Sequence, residues 1–279
     1  MKIAFYTNIK KDNQLKHTCE LIEHISGKVS QIIVDDKHKF LIPKELHPLV
    51  NFEANIWQNA DFVIALGGDG TMLRAAKMAN CPILGLNLGN LGYLTDSNID
   101  LSFPAINKLF ANDYFVENRM MLQYEHLNKQ HLALNDVVIY RGLSTKLFEC
   151  VIHINGEFMT QIRADGIIAA SPTGSTAYNL SAGGPILKPD AKMIAITPIS
   201  SHSLTSRPAI ISHKDELTIT FLNHPGFSLA LDGETIPINI GEKETTIRIK
   251  KADKTAHILK TNSLSFYETL RNKMFSQKF

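Results

Sequence analysis

One carboxylate in the sequence stands among glycines that would let a charged ligand come close to it. Asp69 lies within the run Gly67-Gly68-Asp69-Gly70-Thr71. Glycines leave backbone N–H groups open to a phosphate, and a carboxylate beside a phosphate can serve as a base or as a metal ligand. These residue types predict phosphoryl transfer, with Asp69 as the catalytic residue and Gly67, Gly68 and Gly70 as phosphate-binding residues.

The same residues are also compatible with a purely structural turn. A Gly-Gly-Asp-Gly run can be a tight turn in which Asp69 only caps the helix that follows. The run is not a Walker A loop, because no G-x-x-x-x-G-K-[ST] occurs in the chain, and it is not the G-x-G-x-x-G dinucleotide fingerprint. On these residues alone, both interpretations of Asp69 stay open.

A strand and a helix must position the glycine run. Residues 62–66 are Phe-Val-Ile-Ala-Leu, an apolar stretch that indicates a strand buried on both faces of a parallel sheet. Residues 71–78 have helical composition, with small and apolar side chains on one face. The glycines therefore lie where the carboxyl end of a strand meets the amino end of a helix. Open α/β sheets bind ligands at that place, and the helix dipole there attracts phosphate.

Further elements of the amino-terminal part complete an α/β pattern. Residues 2–7 indicate a first strand, residues 13–25 a helix, and residues 103–110 a later helix. Residues 82–86 indicate another buried strand, which ends in the polar and glycine-rich residues 87–94. Two strands with such carboxyl ends predict two neighbouring lips of one cleft.

The pattern changes after about residue 114, where short alternating runs replace the helical ones. Residues 147–154 and 157–163, joined by Asn155-Gly156, predict a hairpin, because Asn-Gly suits a type I′ turn. Residues 263–273 return to a helical pattern.

The predicted fold class is an α/β N-terminal domain with a Rossmann-like open sheet, followed by a β-rich, mainly antiparallel C-terminal domain. The predicted limits are 1–113 for the first domain and 114–262 for the second. We expect the C-terminal helix, within 263–279, to pack back on the first domain.

A hydroxyl-rich segment of the second domain does not have the composition of a strand. Residues 171–185 are Ser-Pro-Thr-Gly-Ser-Thr-Ala-Tyr-Asn-Leu-Ser-Ala-Gly-Gly-Pro. Small residues let a ligand approach the backbone, hydroxyls donate and accept hydrogen bonds, and Tyr178 offers a stacking face. The segment predicts a nucleoside-binding site, and the alternative is a long surface loop.

Composition describes an ordinary globular protein with room for two domains. The chain has 279 residues, 44% of them hydrophobic and 20% charged, with a net charge of +2. We expect no nucleic-acid partner, because no basic tract occurs, and no membrane partner, because no apolar run approaches the roughly 20 residues of a span. The first apolar run is too short for a signal peptide, and three distant cysteines indicate buried free thiols. The expected location is cytoplasmic.

Three motifs together resemble those of bacterial NAD kinases, the ATP-NAD kinase family. They are the glycine run at 67–71, Leu134-Asn135-Asp136, and the stretch from Arg163-Ala164-Asp165-Gly166 to Ser181. Diacylglycerol kinases, sphingosine kinases and phosphofructokinases carry similar glycine loops, so the long hydroxyl-rich segment is the more specific motif. The resemblance covers nearly the whole chain from about residue 59.

The resemblance implies an NAD kinase, which transfers the terminal phosphate of ATP to the 2′-hydroxyl of the adenosine ribose of NAD and forms NADP. It implies Asp69 as general base, a divalent metal ion (Mg²⁺ or Mn²⁺) whose protein ligands cannot be named, and a homodimer or homotetramer. The alternatives are a lipid kinase of the diacylglycerol-kinase type with the same loop, and a non-catalytic dinucleotide sensor.

The resemblance also assigns NAD-binding residues. In the first domain they are Asp69, Gly70 and Arg74. In the second domain they are Asn135, Asp136, Arg163, Asp165, Thr173, Thr176, Ala177, Tyr178, Asn179 and Ser181. The family usually has Glu where this chain has Asp136, a carboxylate that is one methylene shorter.

Overall fold

The computed structural model describes residues 1–89, 92–126, 129–141, 147–203, 205–222, 227–236, 246–262 and 265–274. The chain divides into two compact units, of which the first comprises Met1–Asn118 and Ala256–Phe279 and the second comprises Arg119–Thr255. The domain limits expected from the sequence, 113 and 262, stay a prediction.

A parallel sheet forms the centre of the first unit. Its strands are β1 Lys2–Thr7, β2 Gln31–Asp35, β3 Asn51–Glu53, β4 Phe62–Gly67, β5 Ile83–Asn87 and the short β6 Ser97–Asn98. The order across the sheet is β3-β2-β1-β4-β5, with β6 beside the end of β5, and every described pairing is parallel. The carboxyl ends of β1, β4 and β5 therefore lie at one edge. The sequence predicted that the ends of β4 and β5 are neighbours.

Three helices flank this sheet: α1 Lys16–Ile25, α2 Asp69–Met78 and α3 Ser102–Phe110. Short 3₁₀ turns lie at Asn13–Leu15, Asp36–Leu41, Lys44–Leu49 and Ile99–Leu101. The helix predicted from residue 13 begins only at Lys16, because Gln14 and Leu15 have left-handed φ angles of 53° and 54°. The apolar face predicted for α2 is buried.

The second unit is built from antiparallel strands. They are β7 Phe115–His126 (whose first residues belong to the first unit), β8 Lys129–Ala133, β9 Asp136–Tyr140, β10 Phe148–Ile154, β11 Glu157–Ala164, β12 Gly166–Ala170, β13 Met193–Ile199, β14 Ala209–Ser212, β15 Leu217–Phe221, β16 Ser228–Leu231, β17 Glu234–Ile236 and β18 Thr246–Lys260. One sheet has the order β14-β13-β12-β9-β16-β17, and β11-β10-β15-β18 form another antiparallel row. Apolar residues of both sheets form one buried core, which includes Val137, Ile167, Ile194 and Ile219.

The hairpin predicted around Asn155-Gly156 is confirmed. β10 and β11 pair antiparallel, with Ile154 opposite Glu157. Asn155 and Gly156 have φ angles of 52° and 83°, which is the left-handed backbone that a type I′ turn requires. The only helix among the described residues of the second unit is the single turn α4 Tyr178–Ser181, which follows a 3₁₀ turn at Gly174–Thr176.

The chain returns to the first unit through the last residues of β18, where Ile258 and Leu259 pair in parallel with Ile83 and Leu84 of β5. Helix α5, Phe266–Met274, follows, and Ser265 and Glu268 exchange backbone hydrogen bonds at its start as a capping box. None of the described residues of α5 is fully buried. Residues 263, 264 and 275–279 of the predicted terminal helix lie outside the described part.

Two further expectations concern exposure. Of the three cysteines expected to be buried, only Cys150 is, whereas Cys19 and Cys81 are half-buried, so that expectation was wrong for two of them. Among the described residues, no helix has both the length and the apolar character needed to cross a membrane.

Candidate active site

Asp69 lies at the first position of α2, directly after the carboxyl end of β4. Gly68 is the N-cap residue, and the first N–H groups of a helix have no partner within the helix. Backbone N–H groups and the positive end of the helix dipole therefore surround the carboxylate. This is the strand-to-helix junction that the sequence predicted.

The Asp69 carboxylate has a fixed orientation. Its Oδ2 accepts a hydrogen bond from the backbone N–H of Tyr93 at 2.8 Å, and its Oδ1 accepts one from that of Leu94 at 3.1 Å. Both donors belong to the glycine-rich run after β5, although residues 90 and 91 of that run lie outside the described part. Each oxygen keeps a lone pair for a ligand, and the side chain is partly exposed.

Small and polar residues of the same run make room for this contact. A Cβ on Gly92 would stand 1.8 Å from Oδ1 of Asp69, so only glycine fits there. The hydroxyl oxygen of Thr95 accepts hydrogen bonds from the Gly92 N–H at 2.9 Å and from Nδ2 of Asn87 at 3.2 Å. The run is thus tied to the end of β5 at the place where it meets Asp69.

The three glycines of the loop have different surroundings. Gly67 is buried, and a Cβ there would stand 2.1 Å from Oγ1 of Thr71, which makes no hydrogen bond among the described residues. Gly68 and Gly70 are accessible, and nothing lies within 4 Å of the Cβ position of Gly70. Gly67 therefore packs the strand against the helix, while Gly68 and Gly70 leave space for a ligand.

Tyr93 and Arg74 belong to the surroundings of this loop. Tyr93 is partly buried, and that burial, followed by the negative charge of Asp69, raises the pKa of its phenol. Arg74 lies further along α2 with an exposed side chain. Its predicted contact with NAD stays a prediction.

The second unit contains a cavity of about 430 Å³ on the outer face of its six-stranded sheet. The lining residues are Asn135, Asp136, Val138, Tyr140, Ala177, Tyr178, Ala230, Asp232, Gly233 and Thr235. Apolar side chains of β9 and β16 form its floor, and Tyr178 is 47% exposed. An apolar floor with two tyrosines and a polar end suits a heteroaromatic ring with polar substituents.

Asp232 holds the turn that carries Asn135 and Asp136. Its Oδ1 accepts the backbone N–H groups of Asn135 at 2.7 Å and Asp136 at 3.3 Å, and its Oδ2 accepts that of Leu134 at 3.0 Å. The backbone N–H of Asp232 in turn donates to the carbonyl of Asp136 at 3.1 Å. Asp232 therefore fixes two predicted NAD-binding residues and lines the cavity itself.

The hydroxyl-rich segment begins in the interior, which argues against a plain surface loop. Ser171 is buried and donates its hydroxyl to the carbonyl of Leu134. Thr173 is also buried, and its hydroxyl oxygen accepts a hydrogen bond from Nη1 of the buried Arg119 at 3.3 Å. The segment and the Asn135 turn thus form one hydrogen-bonded frame at the cavity.

Asn179 is enclosed within this frame. Its Nδ2 donates to the carbonyls of Ser175 at 3.1 Å and Pro185 at 3.0 Å, and its Oδ1 accepts from the hydroxyl of Thr197 at 2.6 Å. Its side chain is therefore satisfied by the protein, whereas Thr176 and Ser181 are at least partly accessible. None of these three lines the cavity described above.

Arg163 and Asp165 lie elsewhere in the second unit, near the start of β12. Nε of Arg163 pairs with Oε1 of Glu149 at 2.7 Å, and Oδ1 of Asp165 pairs with Nε of Arg141 at 2.6 Å. Neither residue is part of the cavity lining. Ser171, which begins the hydroxyl-rich segment, lies at the opposite end of the strand.

Sequence reasoning missed several residues that hold these sites. Asn87 and Gly92 lie in a run that the sequence marked only as a lip of a cleft, and Thr95 directly follows it. Asp232 precedes Gly233, a pair that by itself indicates no more than a turn. An acidic residue before glycine with φ of 52° is compatible with such a turn. No local signal shows that the same carboxylate accepts three distant N–H groups. Among the described residues, no group of three or more His, Cys, Asp and Glu could hold a metal ion.

Comparisons with known proteins agree along the whole chain. The model of the ATP-NAD kinase N-terminal domain matches residues 2–114, and that of the ATP-NAD kinase C-terminal domain matches residues 134–261. An NAD kinase of Nitrosomonas eutropha is 34% identical over 98% of this chain and 94% of that protein. An NAD kinase of Bacteroides fragilis is 37% identical over 98% of this chain and 97% of that protein.

Solved structures share the fold. The crystal structure of yeast NADH kinase complexed with NADH has a TM-score of 0.83 and 25% identity, covering 100% of this chain and 89% of that one. An NAD kinase from Archaeoglobus fulgidus in complex with ATP has a TM-score of 0.73, covering 94% of each chain, and its 22% identity supports the fold alone. The predicted fold class is confirmed. Because both family models and nearly full-length relatives match, the chain belongs to the ATP-NAD kinase family, as its motifs predicted.

Proposed function

We propose that this protein transfers the terminal phosphate of ATP to the 2′-hydroxyl of the adenosine ribose of NAD, with Asp69 as the general base. The kinase activity toward NAD follows from the family. The role of Asp69 rests on one observation, which is that two backbone N–H groups hold its carboxylate at the exposed start of a helix after a glycine loop.

A base is useful here because a ribose hydroxyl is a poor nucleophile at neutral pH. A positioned base contributes a factor of about 10²–10⁴ to such a proton transfer. The bonds from Tyr93 and Leu94 orient Asp69 so that a free lone pair can accept the hydroxyl proton. No reorganisation of the carboxylate is then needed when the hydroxyl attacks the phosphorus.

The glycine loop would bind the phosphates of ATP. Gly68 and Gly70 are accessible, and the start of α2 supplies N–H groups and a favourable dipole, whereas the buried Gly67 would contribute through packing. Mg²⁺ or Mn²⁺ would be held chiefly by phosphate oxygens and water, since Mg²⁺ usually keeps several waters and binds substrate phosphates. Such an ion would neutralise charge on the transferred phosphoryl group.

The cavity of the second unit would bind NAD. Tyr178 offers its ring for stacking, and Asn135 and Asp136 offer polar groups at the end of an apolar floor. Thr173, Thr176, Ala177 and Ser181 would contribute contacts of the hydroxyl-rich segment, and Asn179 would act by holding that segment in shape.

The direct test is NADP formation from NAD, ATP and Mg²⁺. Asp69→Asn should lower kcat by about 10² or more while NAD binding is retained, since the variant loses the base. Because one of the Tyr93 and Leu94 N–H groups then faces an NH₂ group, thermal melting must show that the variant is folded at the assay temperature. Asp100→Asn, which changes an exposed carboxylate in the same unit, serves as the matched control and should match the wild type. A turnover of Asp69→Asn within twofold of the wild type would show that Asp69 is only a helix cap.

We further propose that the protein is a homodimer or homotetramer in which Arg163 and Asp165 contribute to the site of a neighbouring subunit. Both charged side chains are partly exposed near the start of β12, where they could reach a neighbouring subunit. Mixed oligomers of inactive Asp69→Asn and inactive Asp165→Asn subunits should recover activity, because some sites would combine two intact residues. A monomer by light scattering would exclude this arrangement.

We propose a cytoplasmic location, where ATP and NAD are both at hand. Support comes from the lack of an apolar membrane-crossing helix among the described residues. Cell fractionation with a tagged chain tests it.

A further inference from the structure

A short turn after β1 lies beside the glycine loop. β1 and β4 are parallel neighbours, with Thr7 opposite Leu66. The backbone N–H of Asn8 continues this pairing by donating to the carbonyl of Leu66 at 2.9 Å. Because the carboxyl ends of parallel neighbours meet at one edge of the sheet, the residues after Asn8 lie next to the loop that begins at Gly67.

This turn is held firmly on both sides of Lys11. The backbone N–H groups of Lys11 and Asp12 both donate to the carbonyl of Asn8, at 2.9 and 3.0 Å. The buried Asp12 carboxylate accepts the backbone N–H groups of His17 and Thr18 at the start of α1, each at 3.0 Å. The Cα of Lys11 is therefore fixed, although its side chain is exposed.

The ammonium group of Lys11 lies over the glycine loop. Its Nζ is 3.2 Å from the point at which a Cβ on Gly68 would stand. Within the described part of the chain, Lys11 forms no ion pair. Gly68 is the N-cap of α2, where the helix dipole disfavours a cation by about 0.3–1 kcal/mol. The single acidic residue of the first turn is Asp69, whose two oxygens already accept hydrogen bonds from Tyr93 and Leu94.

A second polar group at the loop also lacks a partner. The hydroxyl of Thr71, a residue that is 3% exposed, makes no hydrogen bond among the described residues and points toward Gly67. An unpaired cation, a buried hydroxyl and free helix N–H groups therefore converge on one short segment. Together they favour a polyanion as the missing partner.

We propose that Lys11 binds the triphosphate chain of the phosphate donor at the glycine loop, an inference that rests on the proposed function. The acceptor also carries phosphate, but its diphosphate has less negative charge than the triphosphate of the donor, and its reacting group is a neutral ribose hydroxyl. The donor brings a highly charged chain to the loop, and a lysine can neutralise part of that charge as a point cation. Lys11 is thus a substrate-binding residue rather than the base.

The test measures binding without turnover. Calorimetry with ATP and Mg²⁺, in the absence of NAD, should give a dissociation constant about tenfold or more higher for Lys11→Met than for the wild type, as expected for a lost charged hydrogen bond. Inorganic tripolyphosphate, as a second probe, should lose affinity by a similar factor, because the phosphate chain is what Lys11 contacts. Lys11→Arg should stay within about threefold of the wild type, since it keeps the cation.

Lys10→Met is the matched control, since it removes an exposed lysine from the neighbouring position of the same turn. An equal loss of affinity in Lys10→Met, or an unchanged dissociation constant in Lys11→Met, would overturn the inference. So would a Lys11→Met variant that loses affinity for NAD and keeps it for tripolyphosphate. If the wild type binds tripolyphosphate through Lys11 and yet forms no NADP, this inference holds and the proposed function fails.

Discussion

Gly92 leaves the space that the Asp69 carboxylate occupies, since a Cβ on Gly92 would stand 1.8 Å from Oδ1 of Asp69. The run after β5 therefore does two things for this carboxylate. Its backbone N–H groups bind both oxygens, and its glycine gives them room. A substitution in this run should therefore lower the rate of the reaction even though it replaces no charged residue.

Gly92→Ala should lower kcat by about 10², because the added methyl group must displace the carboxylate and misplacement of a catalytic group by about 1 Å costs that much. The KM for NAD should change little. Steady-state kinetics measure both. Gly89→Ala is the control, because a Cβ there would be an ordinary 3.7 Å from Oδ1 of Asn87. A Gly92→Ala enzyme with kcat within twofold of the wild type would show that the position of Asp69 is unimportant.

Asp232→Asn should raise the KM for NAD about tenfold and lower the free energy of unfolding by about 1–3 kcal/mol, because one of three backbone N–H groups then faces an NH₂ group. Kinetics and thermal melting measure the two effects. Asp215→Asn changes another Asp that accepts hydrogen bonds in the same unit, from the Ser212 N–H and the Asn155 side chain, and should leave KM unchanged. Equal KM values for NAD in both variants would show that Asp232 has no role in NAD binding.

Tyr178→Ala should raise the KM for NAD by a factor of about five to ten, because a lost aromatic stacking face is worth about 1 kcal/mol. The KM for ATP should stay the same, and Tyr178→Phe should behave like the wild type. Phe158→Ala, which removes an even more exposed ring in the same unit, is the control. Equal increases in both KM values would contradict an NAD-specific role of the ring.

Cys19 and Cys150 should resist alkylation by iodoacetamide at pH 8. Burial raises the pKa of Cys150 to about 12. Burial and then the carboxylates of Asp12, Glu23 and Glu20 raise the pKa of Cys19 to about 11. A thiol stays protonated below its pKa, so only about one Cys19 in a thousand is the reactive thiolate at pH 8.

Peptide mass spectrometry after timed labelling measures this protection, with urea-unfolded protein as the control in which all three cysteines react. Rapid labelling of Cys150 in the folded protein would show that the core of the second unit opens easily.

Local patterns of the sequence were enough for the elements that carry the loop. β4 and α2 were predicted because an apolar run, three glycines and a helical run follow each other directly. The hairpin at Asn155-Gly156 was predicted because those two residues alone suit its turn.

The supporting residues could not be predicted in this way. Asp232 reaches N–H groups about a hundred positions earlier in the chain, and Gly92 meets a carboxylate 23 positions before it. Contacts between residues so far apart produce no periodic pattern or fixed spacing in the sequence, because only the folded sheet brings the residues together. The predicted start of α1, residue 13, was wrong for a related reason. The residue types of Gln14 and Leu15 do not indicate the left-handed backbone that they adopt.

The contacts that hold the run after β5 come partly from residues near the carboxyl end of the chain, which are synthesised late. Lys260 donates from Nζ to the carbonyls of Leu94 and Thr95, and Thr261 binds the buried Asp96 carboxylate through its backbone N–H at 2.8 Å. These contacts hold the run that orients Asp69. On a ribosome, the residues between Asn118 and Ala256 take roughly seven to twenty-seven seconds to add. Until then β18 cannot pair with β5, and the nascent chain contains the glycine loop before it contains the residues that hold the run beside Asp69.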